Sequence, residues 1–232
     1  DRDMIGMNRQ GAFAQYMTIP KRCLIEAPKD MDPNHIALTE PAATVIHAVN
    51  IAMKESYLPI QECQVLVIGA GAIGLLTALI LKSYGVKMQV LETNLARHPC
   101  VKEHVGIDAI NPITQTLSSN NFDIVIDCVG SEKTSQLSFE TVKTGGVIIN
   151  VGLQSWTSSI NIRKLTLEEI KLIGCYTYSM EDFKSALKTI ESGKFGNLSW
   201  IKELPLSDAN LAFRQLHDDR MSSAKVILKP HL

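Results

Sequence analysis

Val65-Leu66-Val67-Ile68 leads straight into Gly69-Ala70-Gly71-Ala72-Ile73-Gly74 and then into an apolar stretch that lasts to Tyr84. That order reads as a short buried strand turning through a glycine-rich loop into a helix. A GxGxxG string alone is weak, but here Lys87 to Leu91 reads as a second strand and Glu92 follows about 20 residues after the glycines, the context a dinucleotide-binding turn requires. Gly69 permits the tight turn, Gly71 lets the backbone approach a pyrophosphate, and Gly74 allows close helix-on-strand packing. The helix N-terminus offers free N–H groups and the positive end of its dipole. Glu92 is placed to accept hydrogen bonds from the adenosine ribose hydroxyls. Two rivals stand beside this reading: a plain strand-to-helix connection with a solvated Glu92, and a flavin or methyltransferase site that reuses the same first turn.

Other function classes are excluded by composition. Lys plus Arg number 23 against 24 Asp plus Glu, a net charge of -1, with no basic block interleaved with aromatics, so nucleic acid is not an expected partner. The longest apolar run, near Gly69 to Leu81, is interrupted by glycines and followed by a charge, which predicts no membrane span. The five cysteines, Cys23, Cys63, Cys100, Cys128 and Cys175, are scattered without a CxxC. Neither a disulfide framework nor a cysteine-rich zinc site is readable, and reduced, cytoplasmic thiols are the expectation. The first residues lack the layout of a signal peptide.

Along the chain, Gly11 to Ile19 alternates enough to predict a strand closed by Pro20, with another short one over Cys23 to Ala27. Asp32-Pro33 is a helix start, Ala37 to Ala52 carries helical spacing, and Pro41 should kink or split that helix near Glu40. From Val65 onward strands and helices alternate, which argues for a doubly wound α/β sheet. The predicted strands are Val65 to Ile68, Lys87 to Leu91, Ala109 to Asn111, Phe122 to Asp127, Val147 to Val151 and Lys171 to Tyr176. The predicted helices are Ala72 to Tyr84, Ala96 to Glu103, Lys133 to Thr141 and Met180 to Ser192. Beyond Gly193 come a strand near Trp200 to Leu204, a helix from Ser207 to His217 and a last strand over Ala224 to Leu228.

Several strings occur together in order: Gly11-Ala12-Phe13-Ala14-Gln15-Tyr16, Leu38-Thr39-Glu40-Pro41-Ala42-Ala43, the glycine turn, Phe122 through Gly130, Gly145-Gly146, Val151-Gly152-Leu153, Met180-Glu181-Asp182-Phe183 and Lys225 through Pro230. Together they resemble the medium-chain, zinc-type alcohol dehydrogenases, in particular the polyol and threonine dehydrogenase branch. The Glu40-Pro41 pair points to that branch and away from the zinc-free quinone reductases. The resemblance implies a Rossmann fold, a doubly wound six-stranded parallel sheet, with remnants of a GroES-like β-rich catalytic domain. Residues 1–45 and 181–232 would then belong to the catalytic domain and residues 46–180 to the cofactor domain.

The same resemblance implies NAD as cofactor, held by Gly69, Gly71, Ala72, Ile73 and Gly74 at the pyrophosphate, Glu92 at the ribose and Arg97 at the adenine face or ribose edge. Val129 and Gly130 would border the adenosine side, while Val151, Gly152 and Leu153, with the backbone of Cys175 and Tyr176, would hold the nicotinamide carboxamide. A carboxylate at position 92 repels a 2'-phosphate, which favours NAD over NADP. Glu40 inherits a place beside the catalytic zinc, as ligand or as holder of its bound water. The other zinc ligands of the family, a cysteine and a His-Glu pair from its first third, have no counterpart here, because none of the histidines is followed by Glu. The chain therefore reads as a fragment, expected to bind no catalytic zinc and to be inactive by itself. Sorbitol dehydrogenases carry Arg-Tyr where this chain has Thr177-Tyr178, so a small secondary alcohol, a diol or a sugar alcohol all remain open as substrate. The expected assembly is a homodimer or homotetramer paired partly through the strand near Lys171 to Tyr176. A non-catalytic dinucleotide-binding module or sensor, and a methyltransferase, are the alternatives.

Overall fold

A computed structural model describes residues 3–218 and 221–231. Its centre is a five-stranded parallel sheet of β1 (Gln64–Ile68), β2 (Lys87–Leu91), β3 (Phe122–Asp127), β4 (Val142–Asn150) and β5 (Lys171–Gly174), in the spatial order β2-β1-β3-β4-β5. Helix α3 (Ala72–Ser83) joins β1 to β2, and α4 (His98–His104) follows β2. Helices α5 (Glu132–Thr141) and α6 (Ile162–Leu167) join β3 to β4 and β4 to β5. The chain thus winds outward from the β1/β3 pair in both directions. Right-handed crossovers then put α3 and α5 on opposite faces and open a crevice at the carboxyl ends of β1 and β3.

Alternation along the strands feeds two cores. Val65, Val67, Ile124, Ile126, Val147 and Ile149 face α3, and Leu66, Ile68, Val125 and Ile148 face Phe139 of α5 and Ile170. Because both faces are covered, the strands read as continuous apolar runs, as buried parallel strands must. On the α3 face the sheet is also covered by α2 (Thr39–Glu55), preceded by α1 (Pro33–Ala37); α2 in turn packs against α7 (Met180–Glu191). The buried side of α2 is rich in small residues, Ala42, Ala43, Ala48 and Ala52, which lets its axis come close to its neighbours. The chain ends in β6 (Ile201–Pro205), α8 (Ala209–His217) and β7 (Lys225–Lys229), where β6 and β7 form a separate two-stranded parallel sheet. Among the described residues no helix is long and apolar enough to cross a membrane.

Several expectations need correction. The sheet has five strands and not six, because residues 109–111 make a single parallel bridge, Ile110 to Leu91. The Asn111 side chain then accepts the Ile113 N–H at 2.9 Å and turns the chain away, and Pro112 has no N–H to continue a ladder. The strands expected over Gly11 to Ile19 and Cys23 to Ala27 are absent: the first is a series of bends with no neighbouring strand, and Lys21–Cys23 is a single turn of 3-10 helix. The helix break falls at Leu38, two residues before Glu40, between α1 and α2. Pro41 sits in the first turn of α2, where its missing N–H has no intrahelical partner to lose. Strand β4 begins five residues earlier than expected, and its register against β3 slips from Phe122–Val142 to Ile124–Val147, with Gly145 at φ +72 inside the slip. Helix α6 has too short an apolar pattern to be read from sequence.

Candidate functional site

The glycine turn is built as its spacing requires. Gly69 has φ +90 and donates its N–H to the Leu91 carbonyl at 2.8 Å, tying the turn to β2. A Cβ on Gly74 would lie 1.7 Å from the Gly69 carbonyl oxygen, so only hydrogen fits between helix and turn. Over Gly71 there is open space, with nothing within 4 Å of where a Cβ would be. Gly71 is the N-cap of α3, and no side chain caps that helix, whereas Ser131 and Ser179 close α5 and α7 with reciprocal capping boxes. The turn therefore combines a helix N-terminus without a side-chain cap, room above the backbone and the positive end of a dipole, which suits a phosphate group. Backbone groups of Ala72 and Ile73 lie in the first turn of this helix.

Glu92 is 5% exposed and already engaged. Its Oε2 accepts the Ala70 N–H at 2.8 Å, its Oε1 accepts the Asn94 N–H at 2.8 Å, and Arg97 Nη1 lies 3.5 Å from Oε2. The carboxylate thus braces the glycine turn from the end of β2, with His98 Nε2 2.8 Å from the Glu92 carbonyl oxygen. Oε1, which accepts the Asn94 N–H, has a second lone pair that can take a hydroxyl donor.

The other expected cofactor residues lie along the same carboxyl edge. The Val129 side chain would be 2.7 Å from a Cβ on Gly69, so it packs directly on the turn. Gly130 and Gly152 cross backbone to backbone: a Cβ on Gly130 would sit 2.0 Å from the Gly152 carbonyl oxygen. Val151 follows β4, and Leu153 stands 74% exposed beyond it. Cys175 is buried and donates its N–H to the Asn150 carbonyl at 2.9 Å, while Tyr176 is 45% exposed. Next in line Thr177 has φ +58, a left-handed conformation rare for a β-branched residue and of the kind that gathers at functional sites.

Glu40, in the first turn of α2, is exposed, and its charge acts on the Tyr178 phenol. Burial, and then the Glu40 charge, push the Tyr178 phenol well above its ordinary value, so it stays a neutral hydroxyl. Among the described residues no three His, Cys, Asp or Glu side chains come together where they could hold a metal ion. Zinc needs four ligands in tetrahedral array or three plus water, and the residues around Glu40 in this chain do not fit it.

Sequence reasoning passed over two polar centres. Asp127, at the end of β3, is 1% exposed and binds the backbone of the next turn, and its signal was an Asp two and three residues before Val129 and Gly130. His47 of α2 meets Asp182 of α7, Nδ1 to Oδ2 at 3.0 Å, with Asn50 donating to the same carboxylate at 3.3 Å. Burial alone would raise the Asp182 carboxyl, but hydrogen bonds from Ser179, the nearby His47 and Asn50 outweigh it and leave it below its ordinary value. Burial pushes the Cys128 thiol up to about 12 and those of Cys100 and Cys175 up to about 11, so these cysteines are poor nucleophiles.

Comparison with known proteins agrees with this geometry. A family model described as zinc-binding dehydrogenase matches residues 72–192, more than half of the chain. The (R,R)-butanediol dehydrogenase of Saccharomyces cerevisiae is 26% identical over 241 residues, covering 95% of this chain and 61% of that protein. The L-galactonate-5-dehydrogenase of Escherichia coli is 28% identical over 204 residues, covering 82% of this chain and 57% of that protein. The chain thus spans about three fifths of the length of the curated relatives it matches. Among solved structures, acetophenone reductase from Geotrichum candidum in complex with NAD superposes with a TM-score of 0.88 at 22% identity, over 98% of this chain and 65% of that one, which shows the shared fold. From the glycine turn through α7, sequence and architecture agree: the chain belongs to the zinc-binding dehydrogenase family.

Proposed function

We propose that this chain carries the cofactor-binding part of an NAD-dependent oxidoreductase that moves hydride between a secondary alcohol or polyol and NAD. The observation that carries the reading is the glycine turn, where α3 begins without a side-chain cap under open space at Gly71 and Glu92 closes the end of β2. Ala72 and Ile73 would bind the pyrophosphate through their N–H groups. Glu92 and Arg97 would hold the adenosine ribose, with Val129 and Gly130 beside it. Val151, Gly152, Leu153, Cys175 and Tyr176 would orient the nicotinamide end. Bound NAD supplies the hydride acceptor; this chain's own residues supply position and shelter from water. The relatives named as butanediol and galactonate dehydrogenases and the neighbour solved with NAD support the substrate class and the cofactor.

Residues 46–180 would form the cofactor domain, and residues 1–45 and 181–232 parts of the catalytic domain, with Glu40 lining the cleft between them beside the metal of the whole protein. The whole protein would be a cytoplasmic homodimer or homotetramer paired partly through β5. In support, β5 is an edge of the sheet, and Leu172 on it and Trp156 near it are 38% and 104% exposed. Sedimentation at micromolar concentration tests this: a dimer that Leu172→Arg dissociates supports it, and a clean monomer removes it.

Fluorescence titration with NADH and NADPH tests the cofactor reading. NADH is expected to bind at least about tenfold more tightly, because the Glu92 carboxylate opposes a 2'-phosphate. Glu92→Ala should weaken NADH by about 1–3 kcal/mol through loss of charge-assisted hydrogen bonds. Comparable affinities for the two cofactors overturn the role of Glu92.

A further inference from the structure

The two turns that carry the expected contacts after β3 and β4 share one root. Asp127 Oδ1 accepts the N–H groups of Val129 and Gly130, both at 2.9 Å. The backbone carbonyl of the same residue accepts the N–H groups of Val151 and Gly152 at 2.9 and 3.0 Å. The second turn then folds back over the first: Gln154 and Ser155 donate their N–H groups to the Val129 and Gly130 carbonyls at 3.1 and 2.9 Å. Asn150 Nδ2 donates to the Gly152 carbonyl at 3.1 Å. A Cβ on Gly152 would lie 2.0 Å from the Val129 carbonyl carbon, so the two turns touch through bare backbone.

Stability alone does not explain a carboxylate here. Asp127 Oδ2 is buried and has no hydrogen-bond partner, and a buried, half-satisfied charge costs more than an apolar or neutral residue of similar size. What the carboxylate provides is a pair of charge-assisted hydrogen bonds, stronger than neutral ones, that hold a turn whose Gly130 has φ +68. We infer that the Asp127 carboxylate is a positioning residue for the cofactor edge: it fixes the Val129–Gly130 turn, over which the Val151–Leu153 turn folds back, so that the adenosine side of the dinucleotide meets preset backbone. This rests on the dinucleotide reading above. Preorganisation of this kind raises affinity by removing the ordering cost at binding.

The test compares wild type, Asp127→Ala and Asp127→Asn in the same chain by amide hydrogen exchange and by titration with NADH and with AMP. In Asp127→Ala, exchange at Val129 and Gly130 should rise about tenfold or more, while the Cys175 amide, bonded to Asn150 outside the lock, keeps its wild-type rate. NADH and AMP, which share the adenosine side that Val129 and Gly130 border, should both weaken by about tenfold, the equivalent of one such hydrogen-bonded contact. Asp127→Asn keeps an oxygen acceptor at the same place without the charge and should recover part of both readouts, falling between Asp127→Ala and wild type. If Asp127→Ala does not fold, Asp127→Ser, whose hydroxyl makes the same turn contact more weakly, is expected to shift the same amides and to weaken NADH and AMP in the same direction. Unchanged exchange at Val129 and Gly130, an equal rise at Cys175, or weakened NADH beside an unchanged AMP overturns the proposal. A wild-type chain that binds no NADH overturns the dinucleotide reading itself; a wild type that binds NADH beside an unaffected Asp127→Ala overturns only the role of Asp127.

Discussion

Leu66, Val67 and Ile126 in the central sheet are fully buried, whereas Phe13, Tyr16 and Phe213 in the two ends of the chain are 68, 87 and 53% exposed. Both regions are rich in apolar side chains, but only the sheet has a layer on each face to cover them. In the ends, Phe13 meets Phe213 edge-to-face with ring centroids 5.6 Å apart, and both rings stay largely in water. The β6/β7 pair is parallel and two-stranded, an arrangement that rarely stands without further cover. Stability in this chain should therefore reside in the sheet and its helices, with the ends adding apolar surface that is largely exposed.

The comparison breaks first at Gly74. Gly74→Ala places a methyl group 1.7 Å from the Gly69 carbonyl oxygen, so helix α3 must leave the turn. The expected outcome is loss of NADH binding and a loss of stability above about 4 kcal/mol, the range reserved for overpacked core sites. Urea unfolding beside an NADH titration measures both, and a variant that keeps wild-type affinity contradicts the account of the turn.

A smaller effect sharpens the contrast between the regions. Leu76→Ala, at a fully buried position in α3, should cost about 2–5 kcal/mol through lost transfer energy and a cavity. Phe213→Ala in α8 should cost less than about 1 kcal/mol, since half the ring is already hydrated. Equal losses measured by chemical denaturation would mean that the ends are as well packed as the sheet.

The smallest expected effect concerns the α2–α7 contact. Asp182 is held ionised below its ordinary 3.8 by Ser179, His47 and Asn50 despite burial. A carboxyl lowered in the folded state stabilises the fold above its unfolded value, and that contribution is lost as pH falls through the folded value. Asp182→Asn should therefore cost about 1–2 kcal/mol near neutrality, and the gap to wild type should narrow as pH falls below the ordinary 3.8 and close once the folded carboxyl is protonated. Thermal unfolding across that range checks it, and a gap independent of pH removes the ionised carboxylate from the explanation.

Much of the cofactor half was legible from residues alone. Val65 to Ile68 followed by Gly69, Gly71 and Gly74 dictates strand, turn and helix because only glycine tolerates φ +90 at Gly69 and a 1.7 Å approach at Gly74. The ends of the chain were less legible. Gly11 to Ile19 has the alternation of a strand, but a strand exists only where a neighbour supplies its hydrogen bonds, and alternation says nothing about neighbours. Residues 109–111 failed as a sixth strand for a local reason, the Asn111-Pro112 turn, that hydrophobic pattern does not weigh.

By itself the sequence determined the doubly wound class and the glycine turn, because these depend on local rules of steric fit and periodicity, and its ordered strings carried the resemblance to the family. Tertiary structure alone decided that Glu92 braces Ala70, that His47 meets Asp182 and that Asp127 accepts hydrogen bonds from two turns separated by a strand and a helix. Such contacts join residues far apart in the chain, and their partners are chosen by where the strands end in space. No spacing along the chain encodes that position.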